Sequence, residues 1–131
     1  MKRITVSLLL FLFLVTCSQS DIRHNQDLED TTYSIVEDKN ESVIRLSSLT
    51  TFDWEKAFLF SPYSPQEMIE EQLDVDFKDP SDLDMRDDIY LLVFLNKGKV
   101  VQYAEIERQD ADFSIEGNLT PSNDGINIER Y

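Results

Sequence analysis

Few side chains in this sequence have the chemistry to act on a substrate, and their spacing narrows the choice further. Cysteine and histidine each occur once, as Cys17 and His24. A Ser-His-Asp relay needs a histidine set beside its partners, and no pattern around His24 sets it there. Cys17 closes an apolar run and reads as an attachment point, which removes the one thiol nucleophile. One cysteine and one histidine cannot supply a zinc set of the usual Cys and His type. The three glycines are scattered, so there is no glycine-rich phosphate loop. Carboxylates are abundant, but a glycosidase pair requires a pocket that no motif outlines. The expectation is a non-enzymatic chain without a cofactor.

The acids are densest in the loop 74–88, at Asp74, Asp76, Asp79, Asp82, Asp84, Asp87 and Asp88. Closely spaced Asp side chains can supply the oxygens that calcium takes. The D-x-D-x-D-G order and its turn glycine are missing, so a solvated acidic loop competes with a cation site. If a cation binds, Asp82, Asp84 and Asp88 are the expected ligands. The aromatic set Trp54, Phe58, Phe60 and Tyr63 offers a second kind of surface. Strand aromatics mostly fill cores. Tyr63 follows Pro62 where the chain leaves a strand, so Tyr63, with Trp54, is the expected interaction site.

Cys17 carries the clearest signal. Lys2 and Arg3 precede an apolar run from Ile4, which ends in Leu14-Val15-Thr16-Cys17. This is the layout of a bacterial lipobox, in which the cysteine sulfur receives diacylglycerol and becomes the first residue of the mature chain. Val15 and Thr16 stand where Ala or Ser and then Gly or Ala are usual. Slow processing, or cleavage nearby by an ordinary signal peptidase, is the alternative. An uncleaved span is disfavoured by length: Ile4 to Thr16 as a helix covers about 20 Å, against a hydrocarbon core of about 30 Å. Residues 1–16 therefore read as a signal peptide. One acyl chain holds a protein marginally and two hold it stably. The implied address is the non-cytoplasmic side of a bacterial envelope membrane, with the lipid anchor as the contact.

Charge limits the partners. The chain has 26 acidic against 12 Lys and Arg residues, a net charge of −14. Loss of Lys2 and Arg3 with the leader makes the remainder more acidic still. Such a surface repels phosphate backbones, so nucleic acid is not an expected partner. Anionic headgroups are repelled on average too. An envelope protein or a cation remains admissible, and solubility alone accounts for the charge equally well.

The elements that must position these residues follow from periodicity. Residues 17–41 are polar and read as the acylated cysteine with a tether, within which Tyr33 to Val36 is an alternative edge strand. Residues 42–131 read as one domain. Val43 to Leu46 is a short strand. Phe52 to Ser61 is a strand with Trp54, Phe58 and Phe60 on one face and Ala57 and Leu59 on the other, apolar on both sides and hence central. Ser64-Pro65-Gln66-Glu67 is a capping box opening a helix that presents Met68, Ile69 and Leu73 and ends near Asp74. Ile89 to Leu95 is a buried strand, Asn96 to Lys99 a turn with Gly98 at positive φ, and Val100 to Ile106 the returning strand. On that strand Val101 and Tyr103 share one face, and Val100, Ala104 and Ile106 the other. Phe113 with Ile115, and Ile126 with Ile128, make a last hairpin. The order β-β-α-β-β-β-β predicts an α+β fold: a single antiparallel sheet of about four to six strands with one helix packed on one face. Two-sided apolar strands leave the second face to be covered by loops, the tether or a partner.

Phe52-Asp53-Trp54-Glu55-Lys56-Ala57-Phe58-Leu59-Phe60-Ser61-Pro62-Tyr63-Ser64, a capped helix, and then Leu91 to Val101 resemble a group of small uncharacterised bacterial envelope lipoproteins. That group pairs an aromatic W-D-K strand ending in P-Y-T with an L-V-F hairpin returning as V-V. The likeness runs from Phe52 to Phe113 and takes in Arg108 and Asp112-Phe113, where the group has R-x-x-G-D-F. Ala111 stands in the glycine position here, which weakens the expectation of a sharp turn. The resemblance implies a fold and an envelope location but no activity. The expected role is a lipid-anchored binding or scaffold module, with cation or small-ligand binding by the loop 74–88 as the alternative.

Overall fold

The computed structural model describes residues 22–131; Cys17 and the expected signal peptide 1–16 lie outside them. Two sheets form the centre. The first has the order β1-β5-β4-β3, built from β1 (Arg23–His24), β3 (Lys56–Phe60), β4 (Ile89–Asn96) and β5 (Lys99–Glu107). The second has the order β2-β7-β6, from β2 (Val43–Arg45), β6 (Ala111–Ser114) and β7 (Gly125–Arg130). The α+β class is as expected. The single sheet is not, because Phe113 pairs with Ile128, and Ile126 with Ile44, in a separate sheet that takes in β2.

β4 is the central strand. Ile89 through Leu95 are all buried. Its alternation feeds two cores. Tyr90, Leu92 and Phe94 face Ala104, Ile106 and the second sheet's Ile44, Phe113, Ile126 and Ile128. Ile89, Leu91, Val93 and Leu95 face Phe60, Ile69, Leu73, Phe77 and Leu83. Helix α3 (Gln66–Leu73) and the loop that follows cover the second core. The second sheet and helix α1 (Gln26–Glu37) cover the first. Each face of the two-sided strand thus has a dedicated cover.

α1 corrects the tether. Asn25 accepts from the Leu28 amide at 2.9 Å as N-cap, and Asp27 and Glu29 occupy the positive first turn. Leu28, Thr32 and Val36 recur every fourth residue and are buried. Thr32 turns inward because its hydroxyl is satisfied by the Glu29 carbonyl at 2.9 Å. Nor is 33–36 a strand. A short α2 (Leu46–Leu49) follows β2 and seats Leu46 in the core.

Three local expectations need revision. β3 is an edge strand of its sheet, touched on its free side at one point where the Ala57 amide donates to the Leu119 carbonyl at 3.0 Å. Trp54 precedes β3 and packs on Phe94 in the first core, whereas Phe58 and Phe60 face the second. The capping box does not form: Pro65 takes the cap position, and the buried Ser64 hydroxyl donates to the Ser61 carbonyl at 2.7 Å.

The β4–β5 hairpin forms as expected, with Lys97 and Gly98 both at positive φ (53° and 74°) as a two-residue turn requires. The register slips between Phe94 and Leu95. That bulge exchanges the faces of the two valines, so Val100 joins Tyr103 and Val101 joins Ala104 and Ile106. The turn before β6 is sharp despite Ala111, because Gln109 and Asp110 carry the positive φ and Ala111 is buried in the strand.

Candidate functional site

The structure separates the expected interaction pair. Trp54 is buried, its indole Nε1 donating to Thr50 Oγ1 at 3.1 Å, so it offers no platform. Tyr63 is 61 % exposed and held at φ 66°. Its amide donates to the Leu83 and Arg86 carbonyls, which brings the exposed Met85 to the same corner.

The acidic loop covers the second core. Phe77 and Leu83 sink into the second core. Gln66 ties the loop to α3 by donating to the Phe77 carbonyl (2.6 Å) and accepting from the Asp79 amide (2.8 Å). Asp79 accepts from the Ser81 and Leu83 amides. Asp88 is engaged by Arg86 through two bonds, Nε at 2.9 Å and the terminal nitrogen at 2.8 Å. The Arg86 hydrogen bond holds the Asp88 carboxyl below its ordinary range against a smaller opposing effect of burial. Asp82 is exposed in left-handed backbone and Asp84 is exposed. Among the described residues, Asp82, Asp84 and Asp88 do not converge on a common point.

A different set does converge: His24, Glu29 and Glu105, with one ligand atom from each lying within 4.8 Å of the others. Three elements deliver them. β1 pairs parallel to β5 in the register His24 to Tyr103, and the imidazole stacks on the Tyr103 ring at 4.6 Å between centroids. The Asn25 amide donates to the Tyr103 carbonyl at 2.9 Å, and its side chain donates to Gln102 at 2.8 Å. The cap at Asn25 starts α1, which puts Glu29 one turn on, over β5. Glu29 Oε2 lies 2.5 Å from His24 Nε2 and accepts the Glu105 amide at 2.8 Å.

The Glu105 carboxylate lies 3.3 Å from Arg86, a longer contact than Arg86 makes with Asp88. Burial raises the Tyr103 phenol, and the negative charges of Glu105, Glu29 and Asp79 raise it further, so it stays neutral beneath the histidine. Glu29 and Glu105, together with Asp30, Tyr33, Arg86, Ile89 and Glu107, line a cleft of about 350 Å³ that opens to solvent. The arrangement can hold a cation. Among the described residues it contains no nucleophile paired with a base.

The expectation from sequence weighs only Cys and His for a metal set and does not consider His24 with carboxylates. Asn25 followed by Leu28, Thr32 and Val36 is a faint trace of the capped helix that carries Glu29 over the strand, but the pairing of β1 with β5 that brings in His24 has no counterpart in the spacing.

A second polar knot is structural. Asp112 accepts from Arg108 (2.7 Å), Tyr131 (2.7 Å) and Tyr90 (3.1 Å), and Arg108 also contacts Tyr131 and donates to the Asp87 carbonyl at 2.8 Å. It fastens the C-terminal residue to β6 and to the start of β4.

Among the described residues no helix is long and apolar enough to cross a membrane. Comparison with protein-family models, with curated proteins and with solved structures finds no match to this chain.

Proposed function

We propose that this chain is a non-enzymatic module of a bacterial envelope, anchored by lipid on Cys17 to the non-cytoplasmic side of a membrane, where it binds or scaffolds an envelope protein. The lipobox layout of Leu14 to Cys17 supports the anchor. The resemblance of 52–113 to envelope proteins points to the same compartment.

One structural observation carries the reading: the direction in which the chain enters the fold. β1 begins at Arg23 and runs parallel to β5. Its N-terminal end therefore lies toward the Lys97-Gly98 turn that opens β5. The stretch Ser18–Ile22, fully extended, reaches at most about 18 Å. A lipid on Cys17 holds the domain close to the headgroups with this end downward. Arg23, Lys56, Lys97 and Lys99 are exposed at that end, Lys56 because it sits opposite Leu95 in β3. Acids stand among them too: Glu55 and Asp74 line with Lys56 and Lys97 a cleft of about 360 Å³, and Asp53 is exposed close by in the chain. Each basic side chain near an anionic surface contributes about 1 kcal/mol. Repulsion expected of the chain as a whole thus gives way to local compatibility at the end that meets the membrane.

The exposed Tyr63 and Met85 corner supports the binding half of the proposal. Positive φ is costly for a tyrosine, by about 1–2 kcal/mol, and such residues concentrate where a surface is used.

The test is mass spectrometry of the chain purified from a bacterial membrane, beside fractionation of Cys17→Ser. The expected results are a diacylglyceryl mass on Cys17 and transfer of the variant to the soluble fraction. An unmodified cysteine, or a variant that stays with the membrane, overturns the anchor.

A further inference from the structure

We propose that His24, Glu29 and Glu105 form a binding site for a divalent transition-metal ion of the zinc type. This goes beyond the envelope role and does not depend on the anchor.

The donor set fits. A site of this class takes His nitrogen at about 2.0–2.1 Å and carboxylate oxygen at about 2.0–2.2 Å, with three protein ligands and one position left for water. His24 Nε2 and the two carboxylates supply that count, with their atoms already within 4.8 Å of one another. The imidazole discriminates against magnesium and calcium, which prefer oxygen alone. Stacking on Tyr103 fixes the ring plane, and the Glu105 amide fixes Glu29. Two of the three ligands, His24 and Glu29, therefore come with an orienting contact that metal binding can leave in place. Two of the ligands, Glu29 and Glu105, line the cleft that also holds Asp30 and Glu107, whose charges favour a cation.

Binding requires two small adjustments. Arg86 must release Glu105, a long contact at 3.3 Å, and it keeps its two bonds to Asp88 when it does. His24 Nε2 and Glu29 Oε2, now 2.5 Å apart, must separate to admit the ion between them. An ion there clamps β1 to α1 and β5, fixing the point at which the chain enters the fold.

The test uses the full chain in detergent, without a histidine tag, titrated with zinc chloride near neutral pH by calorimetry and by NMR of the imidazole. The sequence has one histidine, so any imidazole signal that moves belongs to His24. The expected result is one zinc per chain with displaced imidazole signals and no comparable response to magnesium. Glu105→Gln, which leaves the main-chain bond to Glu29 in place, should bind at least about tenfold more weakly. His24→Ala should lose the site. Unmoved imidazole signals overturn the proposal, as does His24→Ala binding zinc as tightly as the parent. Equal binding of magnesium overturns it too.

Discussion

Arg130, in the last strand, donates from its guanidinium to the main-chain carbonyl of Val36 at 2.8 Å, and so closes the C-terminal end of α1 from the far end of the chain. The same side chain reaches the Asp38 carbonyl at 2.9 Å and the Glu41 carbonyl at 2.6 Å. α1 has no basic residue in its own last turn. Arg130 supplies the positive charge that the helix end favours, and it adds a donor to carbonyls at and just beyond that end, of which the Asp38 carbonyl also accepts the Glu41 amide at 3.0 Å. Arg130→Met should lower stability by about 1–2 kcal/mol. Urea unfolding should show a lower midpoint with an unchanged slope.

α1 is part of the core, so a cavity there must cost as core cavities do. Leu28 is 2 % exposed. Leu28→Ala is expected to destabilise the domain by about 2–5 kcal/mol. A polar tether at 17–41 would show no loss, so thermal melting of this one variant separates the two architectures.

The Asp112 knot predicts a pH dependence. The Tyr131 hydrogen bond is the largest influence on Asp112; burial opposes it, while Tyr90 and Arg108 reinforce it, and the carboxyl lies below its ordinary value of 3.8. A group whose folded pKa is depressed adds stability that is complete above the unfolded value and is lost as pH falls through the folded one. The acid limb of the stability profile should therefore steepen below about pH 4. Asp112→Asn should flatten that limb, which urea melts from neutral pH down to pH 2 would reveal.

The hairpin turn predicts a purely conformational effect. Gly98 has φ +74°, and a Cβ added there would meet no atom within 4 Å. Gly98→Ala should cost about 1–2 kcal/mol through left-handed backbone alone. Chemical denaturation measures it, and a neutral result would show that the turn can rearrange.

Membrane proximity predicts a pattern of reactivity. With the chain anchored in anionic vesicles, Lys56, Lys97 and Lys99 should acylate more slowly than Lys78, which the Gln66 contacts hold beside the N-terminal turn of α3. In Cys17→Ser, free in solution, that difference should vanish. Equal reactivity in the anchored protein would place the basic end away from the bilayer.

The sequence was most legible where one local rule sufficed. Ile89 to Leu95 is an unbroken apolar run, and Asn96 to Lys99 has the turn chemistry of a tight hairpin, so both were read correctly. Legibility failed where tertiary contacts decide. In α1 only Leu28, Ile35 and Val36 are apolar along the packed side, and Thr32 masks the period because its hydroxyl is satisfied internally. A bulge reversed the faces of Val100 and Val101, which strict alternation cannot foresee. The second sheet was hidden because Val43–Arg45 is too short to announce its partner. The converging His24, Glu29 and Glu105 depend on both the unseen helix and the parallel pairing of β1, so no linear spacing contains them.

The outermost strands of both sheets are short: two residues in β1, five in β3, three in β2 and four in β6. Open flanks of that size give a neighbouring molecule almost no row of free amides to zip onto. Were the proposed lipid anchor to gather copies of this chain on a two-dimensional support, such flanks would limit fibril growth between them.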